Sequence, residues 1–220
     1  MLNQIEEIKF TELKDKCREL KVAIFPEVFI TTQVHDKNGV LVWDNSERAH
    51  SWIRNFYNTL IAYLFGYTGG GGTYNAGYLS LKIFNGTVVA CSYCTPATLG
   101  AVNDATKGII VGTGDAAAAI NDYTLTLIAN GTGSGQFSHQ AEAQPVPSYD
   151  SGNKVWSMVR TRIFNNNSGG SITVKETGLL GYTTTQVLME RSVLASPVVV
   201  ANGAQLTVTY TITMDFSTLD

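Results

Sequence analysis

QLTVTYTITMDF, residues 205–216, alternates apolar and polar side chains without a break. Leu206, Val208, Tyr210, Ile212 and Met214 fall on one side of an extended chain, and four threonines fall on the other. Period-two alternation built from β-branched and aromatic residues predicts a strand with one buried face. Upstream, Asn202-Gly203 supplies a turn, and TQVLMERSVL (185–194) reads as the preceding strand. Before it, KVWSMVRTRIF (154–164) alternates, NNNSGG (165–170) turns, and SITVKETGLLGY (171–182) returns.

The middle of the chain continues the pattern. LSLKIF (79–84) and TVVAC (87–91) pair across Asn85-Gly86, and residues 109–112, 123–129 and 136–143 are further expected strands. A glycine run at 69–72, inside GYTGGGGTYNAGY, reads as a loop.

The front section differs. Leu2, Ile5, Ile8, Leu13, Cys17 and Leu20 form a stripe that predicts a helix over 3–20, packed on its own domain or docked on a neighbouring subunit. A hairpin follows, with VFITTQV (28–34) and VLVW (40–43) joined by Asp36-Lys37-Asn38-Gly39. Next, Asn45 or Ser46 reads as the cap of a helix over 46–65. Its apolar stripe includes Trp52, Ile53, Phe56, Tyr57 and Leu60, as core or as interface, and Gly66 stops it.

The expected fold is therefore mainly β. A β-sandwich or jelly-roll-like domain over 67–220 follows a segment over 1–66 made of helix, hairpin and long helix, which serves docking or oligomerisation.

Composition narrows the function. Charged residues are 15% of the 220, against about 25% in ordinary globular domains. They crowd residues 1–54 and thin out over 55–153, where Lys82, Asp104, Lys107, Asp115, Asp122, Glu142 and Asp150 are found. A net charge of −3 gives no sign of a nucleic-acid partner. The N-terminus is charged and amphipathic rather than a secretory leader, which implies synthesis in a cytoplasm. No run approaches the roughly 18 apolar residues of a membrane span.

Motifs for chemistry are incomplete. Cys91-Ser92-Tyr93-Cys94 has zinc-type spacing, but Cys17, His35, His50 and His139 supply no second pair, so no metal is expected. TGGGGT lacks the Gly-Lys-Ser/Thr ending of a phosphate loop, and VGTGDA (111–116) is not a dinucleotide fingerprint, so no cofactor is expected. No G-x-S-x-G occurs. Glu142 and Asp150 are the remaining carboxylates for a glycosidase-type pair and read as solvated. Asp44 reads as electrostatics at a helix start, and His50 as packing. Asn85, Asn130 and Asn166 match the glycosylation pattern but read as turn chemistry. Tyr67, Tyr74 and Tyr78, around the glycine loop, are the candidate exposed aromatics for a sugar platform.

GIIVGTGDAAAAINDYTL (108–125), VKETGLLGY (174–182) and LMERSVLASPVVVANGAQLTVTYTI (188–212) together resemble virion structural proteins of tailed bacteriophages. The resemblance covers roughly half the chain. It implies a non-enzymatic component of a tail, fibre, baseplate or capsid exterior. Such a protein forms a homo-oligomer, or docks on other virion proteins, and resides in the virion. It supplies no catalytic residue. Two rival readings are a carbohydrate-binding adhesin or receptor-binding module that takes a cell-surface glycan, and a cell-wall-degrading enzyme.

Overall fold

A computed structural model describes residues 2–20, 26–49, 52–64, 79–91, 99–182 and 185–217. Tyr67, Tyr74, Tyr78, His50, Cys94 and the glycine run at 69–72 lie outside the described residues. The chain is mainly β, with antiparallel sheets and two helices.

The alternating C-terminal stretch forms β11 (Gln205–Asp215), the centre of a six-stranded sheet. On one side it pairs with β1 (Glu27–His35), and on the other with β8 (Val155–Asn165). β2 (Leu41–Arg48) continues the sheet beyond β1. Short strands β6 (Ser138–His139) and β7 (Val146–Asp150) cover parts of the far edge of β8. A second sheet contains β10 (Gln186–Val200), β9 (Ile172–Tyr182) and β5 (Gly108–Gly112). The hairpin β3 (Ser80–Lys82) and β4 (Val88–Ala90) stands apart.

Both large sheets feed one core. Ile30, Val208 and Tyr210 of the first sheet share it with Val174, Val187 and Met189 of the second. Leu206, Val208 and Tyr210 are fully buried, as the period-two pattern requires. From Glu176 to Gly181, β9 is buried without alternation, because both of its faces are covered.

The first helix, α1 (Leu2–Leu20), occupies the expected place. The second is displaced. β2 runs through Asp44, Asn45, Ser46, Glu47 and Arg48, each paired with a residue of β1. Asn45 and Ser46 therefore cap nothing, and Asp44 is an exposed strand residue. Ladder bonds to β1 outweigh the local helical preference here. Glu47 is also buried and accepts the Ala195 backbone N–H at 3.0 Å. Trp52 and Ile53 precede the helix. Trp52 forms a bridge with Glu190, and the Ile53 N–H donates to the Met189 carbonyl at 3.0 Å. Helix α2 then spans Arg54–Leu64. The hairpin of β1 and β2 belongs to the same sheet as β8 and β11, so the sheet runs across the division drawn at residue 66.

The strands expected at 123–129 and 136–143 reduce to isolated bridges, Gly112 with Ile128 and Asn130 with Phe137, plus β6. In this region backbone donors find a carboxylate instead of a neighbouring strand. Thr126 and Leu127 donate their N–H groups to Glu176 at 3.1 and 2.9 Å.

Trp52 is 8% exposed, stacks on Phe56 at 3.9 Å between ring centroids, and donates its indole N–H to the Pro26 carbonyl. Trp52→Ala is expected to lose about 3–5 kcal/mol in a thermal melt. Ile61→Ala, on the exposed side of α2, is expected to stay within about 0.5 kcal/mol.

Candidate functional site

Three arginines lie in the interior at 0–2% exposure: Arg160, Arg162 and Arg191. A guanidinium has five N–H donors and no way to shed its charge, so each needs a full set of acceptors. Arg162 meets this need with main-chain carbonyls. Its Nε donates to Gln140, Nη1 to Lys107 and Ile109, and Nη2 to Ala101 and Asp104, at 2.6–3.1 Å. These acceptors come from the irregular segment before β5, from β5 itself and from the residue after β6, all of which Arg162 ties to β8.

Arg160 and Arg191 use carboxylates. Arg160 Nε donates to Glu142 at 2.6 Å, and the other Glu142 oxygen accepts the N–H groups of Gly100 and Ile109. Arg191 donates to Glu176 at 2.9 Å, Asp122 at 2.7 Å and Thr126 at 2.9 Å, and to the Ala116 and Ala117 carbonyls. Glu176 also accepts the Gly114 N–H at 3.2 Å. The stretch 114–127, which carries VGTGDA into the middle of the chain, is thereby wrapped around one buried ion cluster.

Two glycines make the close approach possible. A Cβ on Gly108, whose φ is +75°, would lie 1.8 Å from the Glu142 carboxylate. A Cβ on Gly114 would lie 2.4 Å from Thr126 and 2.7 Å from Glu176. The glycines of this region serve carboxylates of the chain itself.

A third cluster joins the two sheets. The Tyr210 hydroxyl of β11 lies 2.8 Å from both Thr177 of β9 and Glu190 of β10. It donates to Glu190 and accepts from Thr177. Ser192 donates to the second Glu190 oxygen. Burial pushes the Glu190 carboxyl up to about 7, against the Ser192 and Tyr210 hydroxyls and the Arg191 charge, which pull it down. His139 is buried, and among the described residues neither ring nitrogen has a hydrogen-bond partner. Burial beside the Arg162 charge pulls it down to about 4. The imidazole is therefore neutral at pH 7.

The residues singled out in the sequence are dispersed. Trp52 and Ile53 are buried, Phe56 and Tyr57 pack on the main core, and Leu60 is half-buried. Glu142 is not solvated, since it is 6% exposed and paired with Arg160. Asp150 is exposed, and backbone and side-chain donors of Asn153 hold it below the usual carboxylate range as it caps the turn after β7. Asn85 makes its turn by accepting the Thr87 N–H, whereas Asn166 is fully buried and bonds the Gly170 and Val200 carbonyls. Cys91 is buried, and among the described residues no group of three His, Cys, Asp or Glu is placed to hold a metal. Motif and composition point to none of Arg160, Arg162, Glu176 and Arg191. One signal in the sequence does: Arg160 and Arg162 share the parity of buried Phe164 in an alternating strand.

Comparison with protein families, with curated proteins and with solved structures finds no match to this chain.

Gly108→Ala is expected to cost about 3 kcal/mol or more in urea unfolding, through strain at positive φ and displacement of Glu142. Gly170→Ala, with open space around it, should change stability by about 0.5 kcal/mol or less. Glu190 sets a pH dependence with a definite sign. Between its ordinary 4.5 and about 7 the folded chain holds one more proton than the unfolded chain. The Glu190 contribution is fully present below pH 4.5 and is lost as pH rises through about 7, amounting to at most about 3 kcal/mol. Glu190→Gln should flatten the fall in melting temperature that wild type shows between pH 5 and 8.

Proposed function

We propose that the chain is a non-enzymatic structural component of a bacteriophage particle that assembles through self-association or docking on other virion proteins. In this reading the two sheets form a β-sandwich or jelly-roll-like body, and α1 with the β1–β2 hairpin is its docking segment. The observation that carries the reading is a set of exposed large apolar side chains on that segment. Ile8, Leu13 and Leu20 of α1 are 59, 51 and 73% exposed, and Val40 just before β2 and Leu41 and Val42 at its start are 56, 46 and 60% exposed.

α1 and the hairpin are joined. The Arg48 guanidinium of β2 stacks 3.8 Å over the Phe10 ring, and Lys14 pairs with Glu27 of β1 at 2.7 Å. Among the described residues β2 pairs with β1 alone, which leaves a free strand edge on the strand that carries Leu41 and Val42. A second copy of this chain offers the same edge and the same apolar groups, as a two-fold interface requires. The interior acids and arginines support a non-catalytic role, because their hydrogen-bonding capacity holds the fold together. The resemblance of residues 108–125, 174–182 and 188–212 to phage virion proteins supports the particle context.

Light scattering on a sizing column checks the reading. Wild type is expected to run as an oligomer. Leu13→Asp combined with Val42→Asp should shift it to monomer with a melting temperature within a few degrees of wild type, since both positions are exposed. A wild-type chain that stays monomeric at about millimolar concentration would overturn self-association as the mode of assembly.

A further inference from the structure

A pocket of about 290 Å³ opens beside the first turn of α2, between Arg54, the β3 strand and the Asn121-Asp122 pair. Its polar groups divide into those already engaged and those still free. Asn55 is engaged: its amide donates to the Lys82 and Leu188 carbonyls, and its oxygen accepts the Lys82 N–H. Asp122 is engaged as well, accepting from Arg191 at 2.7 Å and from the Ala119 N–H at 2.8 Å.

The remaining groups include two cations without a carboxylate partner and a hydroxyl without a hydrogen bond among the described residues. Arg54 is exposed, and its guanidinium has no hydrogen bond or ion pair among the described residues. The Lys82 ammonium lies 3.9 Å from the centroid of the Tyr123 ring and has no carboxylate partner among them. Ser80 lines the pocket at 5% exposure, and its buried hydroxyl has no hydrogen-bond partner among the described residues. A buried hydroxyl without a partner carries a desolvation cost that a ligand acceptor would remove. Asn121 also lines the pocket. The positive end of the α2 dipole points the same way as the two cations. The one carboxylate among the described lining residues is offset by the buried Arg191 charge.

We propose that this pocket binds a small ligand through an oxyanion, a carboxylate or a phosphate. Arg54 and Lys82 hold its charge, and the Ser80 hydroxyl donates to it. The volume lies at the lower end of the range for small-molecule sites, about 300–1,000 Å³, which suits inorganic phosphate or a single acidic sugar unit. The site lies on different residues from the proposed assembly surface and stands whether or not the chain self-associates.

The test is a titration of the full chain, followed by amide chemical shifts, with three probes: inorganic phosphate, D-glucuronate and D-glucose. Saturable shifts at Arg54, Ser80, Lys82 and Asn121 are expected with at least one anionic probe and not with glucose. Saturation by glucuronate alone identifies an acidic sugar as the source of the oxyanion, and saturation by phosphate identifies a phosphate group. Arg54→Ala combined with Lys82→Ala should weaken binding at least about tenfold. Ser80→Ala should weaken it severalfold at a melting temperature no lower than wild type, while Lys37→Ala, on the hairpin turn between β1 and β2, should leave it as in wild type. If neither anion saturates by about 10 mM, or if Ser80→Ala and the double variant bind as wild type does, the proposal fails.

Discussion

The irregular segments around β5 are held by the requirement that a buried guanidinium satisfy all its donors. Arg162 sits on a regular strand, fully buried, and five carbonyls from the segments around it close on its planar group. Arg191 and Arg160 repeat the device with Glu176 and Glu142 as intermediaries. Such pairs are not a source of net stability when compared with a well-packed apolar core. Their effect is to specify position. Removing one partner leaves a buried charge unmatched, at a cost of about 3–5 kcal/mol, so alternative placements of 99–109 and 114–127 are disfavoured.

The strand framework is legible in the sequence because it follows period-two alternation and Asn/Gly turns. β8, β9, β10 and β11 all fall where the pattern places them, and β10 continues through Val200 beyond the expected end. The helix expected over 46–65 starts late because 45–48 is paired with β1, and Trp52 and Ile53 bond to β10. Pairings so distant in sequence leave no local trace. The same reason hides the strandless character of 123–129: its apolar residues look like strand, but the Thr126 and Leu127 N–H groups go to Glu176, some fifty positions later.

The interior charge network is legible in parity and not in identity. Arg160 and Arg162 stand in the buried phase of an alternating strand, and that pattern alone marks them as anomalous. Their partners leave no such mark, since Arg162 uses no side-chain acceptor and Glu142 looks like a solitary surface acid in a weakly charged region. The scarcity of acids over 55–153 takes on meaning once carbonyls are seen in their place: this part of the chain meets buried cations largely with its backbone.

That choice of acceptor bears on how the protein can change over generations. A carbonyl belongs to every amino acid, so Arg162 recognises a path of the main chain and is blind to the residues along it. Substitutions at Ala101, Asp104, Lys107 or Gln140 keep the acceptor that matters as long as the path is kept. Around Arg191 the opposite holds, because Glu176, Asp122 and Thr126 must keep their side chains. The carbonyl acceptors of Arg162 are thus free to change residue type while the side-chain partners of Arg191 are pinned, and the two sets of positions should diverge at different rates within one lineage.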